Sequence, residues 1–143
     1  MSAKLRHRAR ALLVKALYQW QLAGHAYDEL MEQYSTMAEF GRVDQDYFRE
    51  LLRRVLDEVE ALDQVIAAHA VRKLDQLDAV GRAVLLIALA ELKHRPEVPT
   101  KVVINEAVEL AKRYGATASF KFVNAVLDKA AKELRGQGDR RAC

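Results

Sequence analysis

The sequence predicts an all-α fold of about seven helices. Three observations carry this. Ala, Leu, Glu, Lys, Arg and Gln, the good helix formers, dominate the 143 residues. Apolar residues recur at spacings of three and four, and no stretch alternates with period two for long enough to make a strand. The chain has only 6 Gly and 2 Pro, and most of them sit between the periodic runs. At 51% apolar, a chain of this length can bury the core of one domain, and 30% charge of mixed sign excludes bulk disorder.

The first helix runs from about Ala3 or Leu5 to Ala23, with Gly24 as its stop; Ala9, Leu12, Leu13, Ala16, Leu17 and Trp20 form its apolar stripe. A second starts near Asp28 and ends around Phe40, before Gly41. Asp44 suits the N-cap of a third, whose seam is Phe48, Leu51, Leu52, Val55, Leu56, Val59 and Leu62. Asp63 then caps a short fourth helix through Ile66 and Val71. The helix begun by Asp78 is apolar nearly all round (Val80, Ala83, Val84, Leu86, Ile87, Leu89), which predicts a place at the centre of the fold. Pro96 and Pro99 bracket a loop. Lys101 to Tyr114 is helical, ended by Gly115. Ser119 caps the last helix, which carries Phe120, Val123, Val126, Leu127, Ala130 and Leu134; the polar tail from Gly136 to Cys143 is expected to fray.

Several function classes are disfavoured. No glycine-rich phosphate loop and no G-x-S-x-G occurs. The single cysteine, Cys143, is terminal, which suits neither an internal disulfide nor a preorganised nucleophile. Glu91 and His94 form one E-x-x-H spacing, but Lys4, Leu22 and Ile66 stand three before the other histidines. A di-metal bundle site needs two copies, so this pair reads as a helix-surface pair near a C-terminus. Asn105 and Glu106 read as hydrogen-bonded structural groups within an otherwise apolar helix. No catalytic residue, metal or cofactor is expected. No apolar run reaches the length of about 18 residues for a membrane helix. The basic start is amphipathic rather than a signal core, which predicts the cytoplasm; its helical period argues against a transit peptide.

Charge points to a polyanionic partner. Net charge is only +3, but Lys4, Arg6, Arg8, Arg10 and Lys15 all precede the first acid, Asp28. A basic arm on a near-neutral body fits nucleic acid or a membrane surface. At about 100° per residue, Lys4, Arg8, Ala11, Lys15 and Tyr18 fall opposite the apolar stripe. Arg6 and Arg10 project elsewhere, and Arg6 reaches a ligand only from a flexible lead-in. An outward tyrosine among cations suits unpaired RNA, because bases stack on the ring while Lys and Arg meet phosphates; packing against a neighbouring helix is the alternative. In the last helix Phe122 falls off the apolar face toward Lys129, with Lys121 and Lys132 further round. It is either a second stacking platform or a cover for the core edge.

Four ordered blocks resemble the NusB family: RHRARALLVKALYQWQLAG (Arg6 to Gly24), LDAVGRAVLLIALAEL (Leu77 to Leu92), VPTKVVINEAVELAKRYG (Val98 to Gly115) and FKFVNAVLDKAAKEL (Phe120 to Leu134). The resemblance implies two helical subdomains of three-helix packing, at about 1–75 and 76–135. It also implies binding to the boxA element of ribosomal RNA leader transcripts together with NusE, a small-subunit ribosomal protein. Other Nus factors and RNA polymerase are then indirect partners, and some members form homodimers. The family's RNA contacts map onto Arg6, His7, Arg8, Arg10, Tyr18, Lys121 and Phe122. With the projected face, the candidate set becomes Lys4, Arg6, His7, Arg8, Arg10, Lys15, Tyr18, Lys121, Phe122 and Lys129. Asp75, Asp78 and Arg82 are the candidate NusE contacts.

The chain departs from the family pattern at several positions. His7 replaces a common arginine, so its charge depends on pH. Gly81 stands at an often acidic position linked to the NusE face. Ala118 replaces an acid, which should not weaken RNA binding, Phe120 a histidine and Ala125 a glycine. Two rival readings are a NusB-like module of the kind appended to ribosomal RNA cytosine methyltransferases, which the chain's end after the helical unit disfavours, and a helical adaptor with a basic arm.

Overall fold

The computed structural model describes residues 2–70 and 77–136. The expected helix end at Val71, Asp75 and the tail beyond Gly136 lie outside the described residues. The described residues form six α-helices and one 3-10 helix. They are α1 (Ala3–Ala23), α2 (Tyr27–Ser35), the 3-10 helix Ala38–Arg42, α3 (Gln45–His69), α4 (Ala79–His94), α5 (Thr100–Tyr114) and α6 (Ser119–Arg135).

Local chemistry sets most of the boundaries. Ser2 Oγ accepts the Leu5 N–H at 3.1 Å and starts α1, so Arg6 lies within a capped helix rather than a flexible lead-in. Gly24, at φ 71°, ends α1 in the left-handed region. Glu29 reaches back to the Ala26 N–H at 3.0 Å and opens α2. The expected run to Phe40 stops at Ser35. There the hydroxyls of Ser35 and Thr36 donate to the carbonyls of Glu32 and Gln33, and local bonds of this kind compete with helix propagation. The chain re-forms only as the 3-10 helix. Asp44 Oδ1 accepts the Tyr47 N–H at 3.2 Å, and the Asp44 N–H donates to the Leu5 carbonyl at 3.1 Å, tying the start of α3 to α1.

Two expected caps do not form. Asp63 lies inside α3, its carboxylate taken by Arg82; the break in this helix is instead a kink at Glu58 (φ −117°, ψ 15°). Ser119 is the first residue of α6 rather than its cap, and Ala118 takes the cap position at φ 67°.

Helix α4 packs on α1, α3, α5 and α6, and Ala83 through Leu92 are all buried, as its all-round apolar pattern predicts. One contiguous core joins it to Leu13 and Leu17 of α1, Phe48 and Leu52 of α3, Leu110 of α5 and Leu127 of α6. Arg135 bolts this centre together. Its guanidinium donates to the carbonyls of Glu91, Leu92, Arg95 and Val98, closing the C-terminal end of α4.

The kink places Glu58 against the end of α4, where Lys93 donates to it at 2.8 Å and His94 Nε2 lies at 2.7 Å. Burial alone pushes the Glu58 carboxyl up. The hydrogen bond from Lys93 and the charge of His94 outweigh burial and hold it below its ordinary value. A group held low in the folded state stabilises in full above the ordinary pKa of 4.5, and that stability is lost as pH falls through the lowered pKa. Glu58→Gln should therefore flatten the acid limb of the stability–pH curve. Superimposable limbs for the two proteins would remove Glu58 from the acid response.

Candidate nucleic-acid interface

The stripe of α1 that faces the core (Ala9, Leu12, Leu13, Ala16, Leu17) is buried, which forces the opposite face outward. Lys4, Arg8 and Lys15 are exposed there, and the Tyr18 ring is 43% exposed. Two adjoining hollows run along this face and share Ala11, Lys15 and Tyr114 as walls. One, of about 250 Å³, also takes Arg8, Glu39 and Arg42; the other, of about 300 Å³, takes Val14, Tyr18 and Val80. The result is a shallow groove with Arg8 and Arg42 at one end, Tyr18 at the other, and Lys15 and Tyr114 between them.

Tyr114 and Arg42 belong to this groove and were not among the sequence candidates. Tyr114 is 44% exposed, at the C-terminal end of α5, with the Arg113 guanidinium 5.7 Å from its ring centre. Arg42 closes the 3-10 helix. Glu39 of the same helix pairs with Lys15 at 3.0 Å across the rim, an exposed contact that salt and phosphate can displace.

The other cations of the arm face inward. Arg10 is 4% exposed. Its Nε and Nη2 donate to the two carboxylate oxygens of Glu91 at 2.9 and 2.8 Å, and Nη1 donates to Glu106 Oε1 at 2.8 Å. Burial pulls the Arg10 pKa down, but the hydrogen bond and charge of Glu91 more than reverse this and leave it above its ordinary value. Arg10 is therefore a buried strut and not part of the exposed face. Glu91, expected on the surface, is 1% exposed and also accepts the Tyr47 hydroxyl. Burial first, and then the negative charge of Glu91, push the Tyr47 pKa up, so Tyr47 remains a neutral donor. His7 Nδ1 lies 2.9 Å from Glu106 Oε1. Arg6 stacks 4.4 Å from the Tyr47 ring centre, with Asp44 at 3.5 Å and Glu97 at 3.7 Å. Glu106 is thus a structural acceptor, as its sequence context suggested, whereas Asn105 is exposed.

At the start of α6, Lys121 is exposed and Phe122 is half-buried against the core. One side of Phe122 lines a cleft of about 150 Å³ with Leu77, Asp78 and the turn Ala116–Ser119. Lys129 is exposed about two turns on and lines neither this cleft nor the groove. Of the candidate partner contacts, Asp78 is half-buried and accepts the Ala116 N–H at 3.4 Å. Arg82 is committed within the chain, to Asp63 at 2.6 Å, to Gln21 and to the Trp20 ring. Gly81 is explained by packing: a Cβ there would meet Asp78 Oδ1 at 2.7 Å and Leu77 Cδ1 at 3.0 Å.

No group of three His, Cys, Asp or Glu suited to a metal occurs among the described residues, and no described helix is long and apolar enough to cross a membrane. Fold and surface together define an all-helical protein with a cationic, tyrosine-bearing groove along its first helix. A family model described as the NusB family matches residues 7–132. The transcription antitermination protein NusB of Alcanivorax borkumensis is 46% identical over 91% of this chain and 87% of its own length. That of Serratia proteamaculans is 48% identical over 94% and 98%. Among solved structures, T. maritima NusB superposes with a TM-score of 0.76 at 33% identity, covering 91% of this chain and 93% of that one. A structure of the antitermination factors NusB and NusE in complex with double-stranded RNA gives 0.75 at 26%, covering 92% and 99%. The chain belongs to the NusB family.

Proposed function

We propose that this protein is a non-catalytic transcription antitermination factor that captures boxA RNA of ribosomal leader transcripts in the α1 groove, acting in the cytoplasm together with a NusE-type partner. The observation that carries the reading is the division of the arm. Arg10 is spent inside the protein, while Arg8, Lys15 and Arg42 remain outside beside the Tyr18 and Tyr114 rings. Such a groove meets phosphates with its cations and bases with its rings. Phosphates of either a duplex or a single strand suit the cations, but only an unstacked base can lie on an exposed ring, so the preferred ligand is single-stranded. Lys121 and the open side of Phe122 extend the surface across the α5–α6 turn. A NusE-type partner would meet the start of α4 near Asp78, which stands half-buried beside the α5–α6 turn, whereas Gly81 is buried against Asp78 and Leu77.

A salt titration tests the electrostatic half. With Lys4, Arg8, Lys15, Arg42 and Lys121 on phosphates, log affinity for boxA RNA should fall with log salt at a slope of about −3.5. A duplex of the same sequence should compete poorly. A flat salt response, or equal competition by the duplex, would remove this reading.

A further inference from the structure

A hollow of about 460 Å³ lies away from the groove, between the start of α1, the loop before α5 and α5 itself. Its volume is in the range of small-molecule sites. Val98, Pro99 and Val102 give it an apolar lining, and Val102 is 42% exposed. Lys4 and Arg6 of α1, Glu97 of the loop and Glu106 of α5 supply its charged lining. Lys4 has no carboxylate within ion-pair distance among the described residues, and Arg6 has only the two long contacts at 3.5 and 3.7 Å. Glu106 concentrates its internal bonds on one oxygen: Oε1 takes both His7 and Arg10, and Oε2 accepts no hydrogen bond from the described residues. The site therefore offers the Lys4 ammonium, an apolar slot and two carboxylates, of which Glu97 is held by Arg6 and Arg95 and Glu106 keeps Oε2 without an internal bond from the described residues.

We propose that this hollow is a second nucleotide subsite, taking an amino-bearing base that flanks the RNA segment in the α1 groove. The inference rests on the RNA-binding reading above. Lys4 makes the connection, because it lines the hollow and lies one turn from Arg8, which lines the groove. A strand leaving the groove past Arg8 can place its next phosphate on Lys4, and the base then enters the apolar slot with its edge toward Glu106. A carboxylate oxygen accepts from the exocyclic amino group of guanine, adenine or cytosine. Uracil offers a single N–H between two carbonyl oxygens, which the same carboxylate repels. The subsite thus selects against uracil at one flanking position.

The test uses the full chain and a core oligomer that fills the groove alone, extended at either end by G, A, C or U. Fluorescence anisotropy should show that one end, and not the other, gains about tenfold in affinity with G, A or C over U, the worth of one charge-assisted hydrogen bond. Val102→Trp should fill the slot and abolish that discrimination while leaving affinity for the core oligomer and the melting temperature unchanged. Glu106→Gln, which presents an amide N–H as well as an oxygen, should narrow the gap between G and U. Discrimination that survives Val102→Trp, or extension that changes nothing while the core oligomer still binds, overturns the subsite alone. Failure of the core oligomer to bind overturns the RNA-binding reading beneath it.

Discussion

Glu91→Ala should destabilise the protein by about 3–5 kcal/mol, the cost of leaving one member of a buried ion pair without its partner. Glu91 is 1% exposed and Arg10 4%, so neither charge can turn to water when the other is removed. The deletion strands more than the Arg10 guanidinium. The Tyr47 hydroxyl, itself buried, loses its acceptor in the same step. Glu106 holds only Arg10 Nη1, leaving Nε and Nη2 unmatched. Urea denaturation would read the loss as a shift in midpoint at unchanged slope. Replacing both Glu91 and Arg10 by methionine should recover much of the stability, because two apolar side chains leave no charge unpaired. A loss under about 1 kcal/mol for Glu91→Ala would put the pair in the class of solvent-exposed bridges and contradict its burial.

The same pair shows why sequence reading stopped where it did. Arg8 and Arg10 are chemically equal and two residues apart. Projection of α1 already separated them, and Arg10 entered the candidate contacts only through the family resemblance. What fixes Arg10 inward are acids 81 and 96 positions away, which no local pattern reveals. Glu91 read as a surface residue for the converse reason: an acid near a helix end is exposed unless something distant neutralises it. Tyr114 was missed because it continues the spacing of Val103, Ala107, Leu110 and Ala111, and so resembles one more core residue. It escapes burial because α5 ends there, at Gly115. Features set by one element alone were legible. The apolar girth of α4 placed it at the centre, Asp44 caps α3, Gly24 stops α1, and the exposure of Tyr18 followed from helical period. The caps assigned to Asp63 and Ser119 failed where the side chain, or the turn before it, had tertiary work to do.

Tyr18→Ala should weaken capture of single-stranded boxA RNA by about 1–3 kcal/mol, the worth of one base stacked on an aromatic ring. The fold should not register the change, since the ring is 43% exposed and the stripe that holds α1 in place lies on its other side. Tyr18→Phe, which keeps the ring, should bind close to the parent protein. Tyr114→Ala removes the other ring of the groove and should cost a similar amount. If successive bases lie on the two rings, the losses should approximately add, whereas a single base held between them would make either deletion almost as damaging as both. Salt separates these rings from their cationic neighbours. Removing a ring lowers affinity at every ionic strength without altering the slope, while Arg8→Ala should flatten the slope by about 0.7. A Tyr18→Ala protein that binds RNA like the parent would make the ring a helix-surface packing group and leave the groove a purely electrostatic contact.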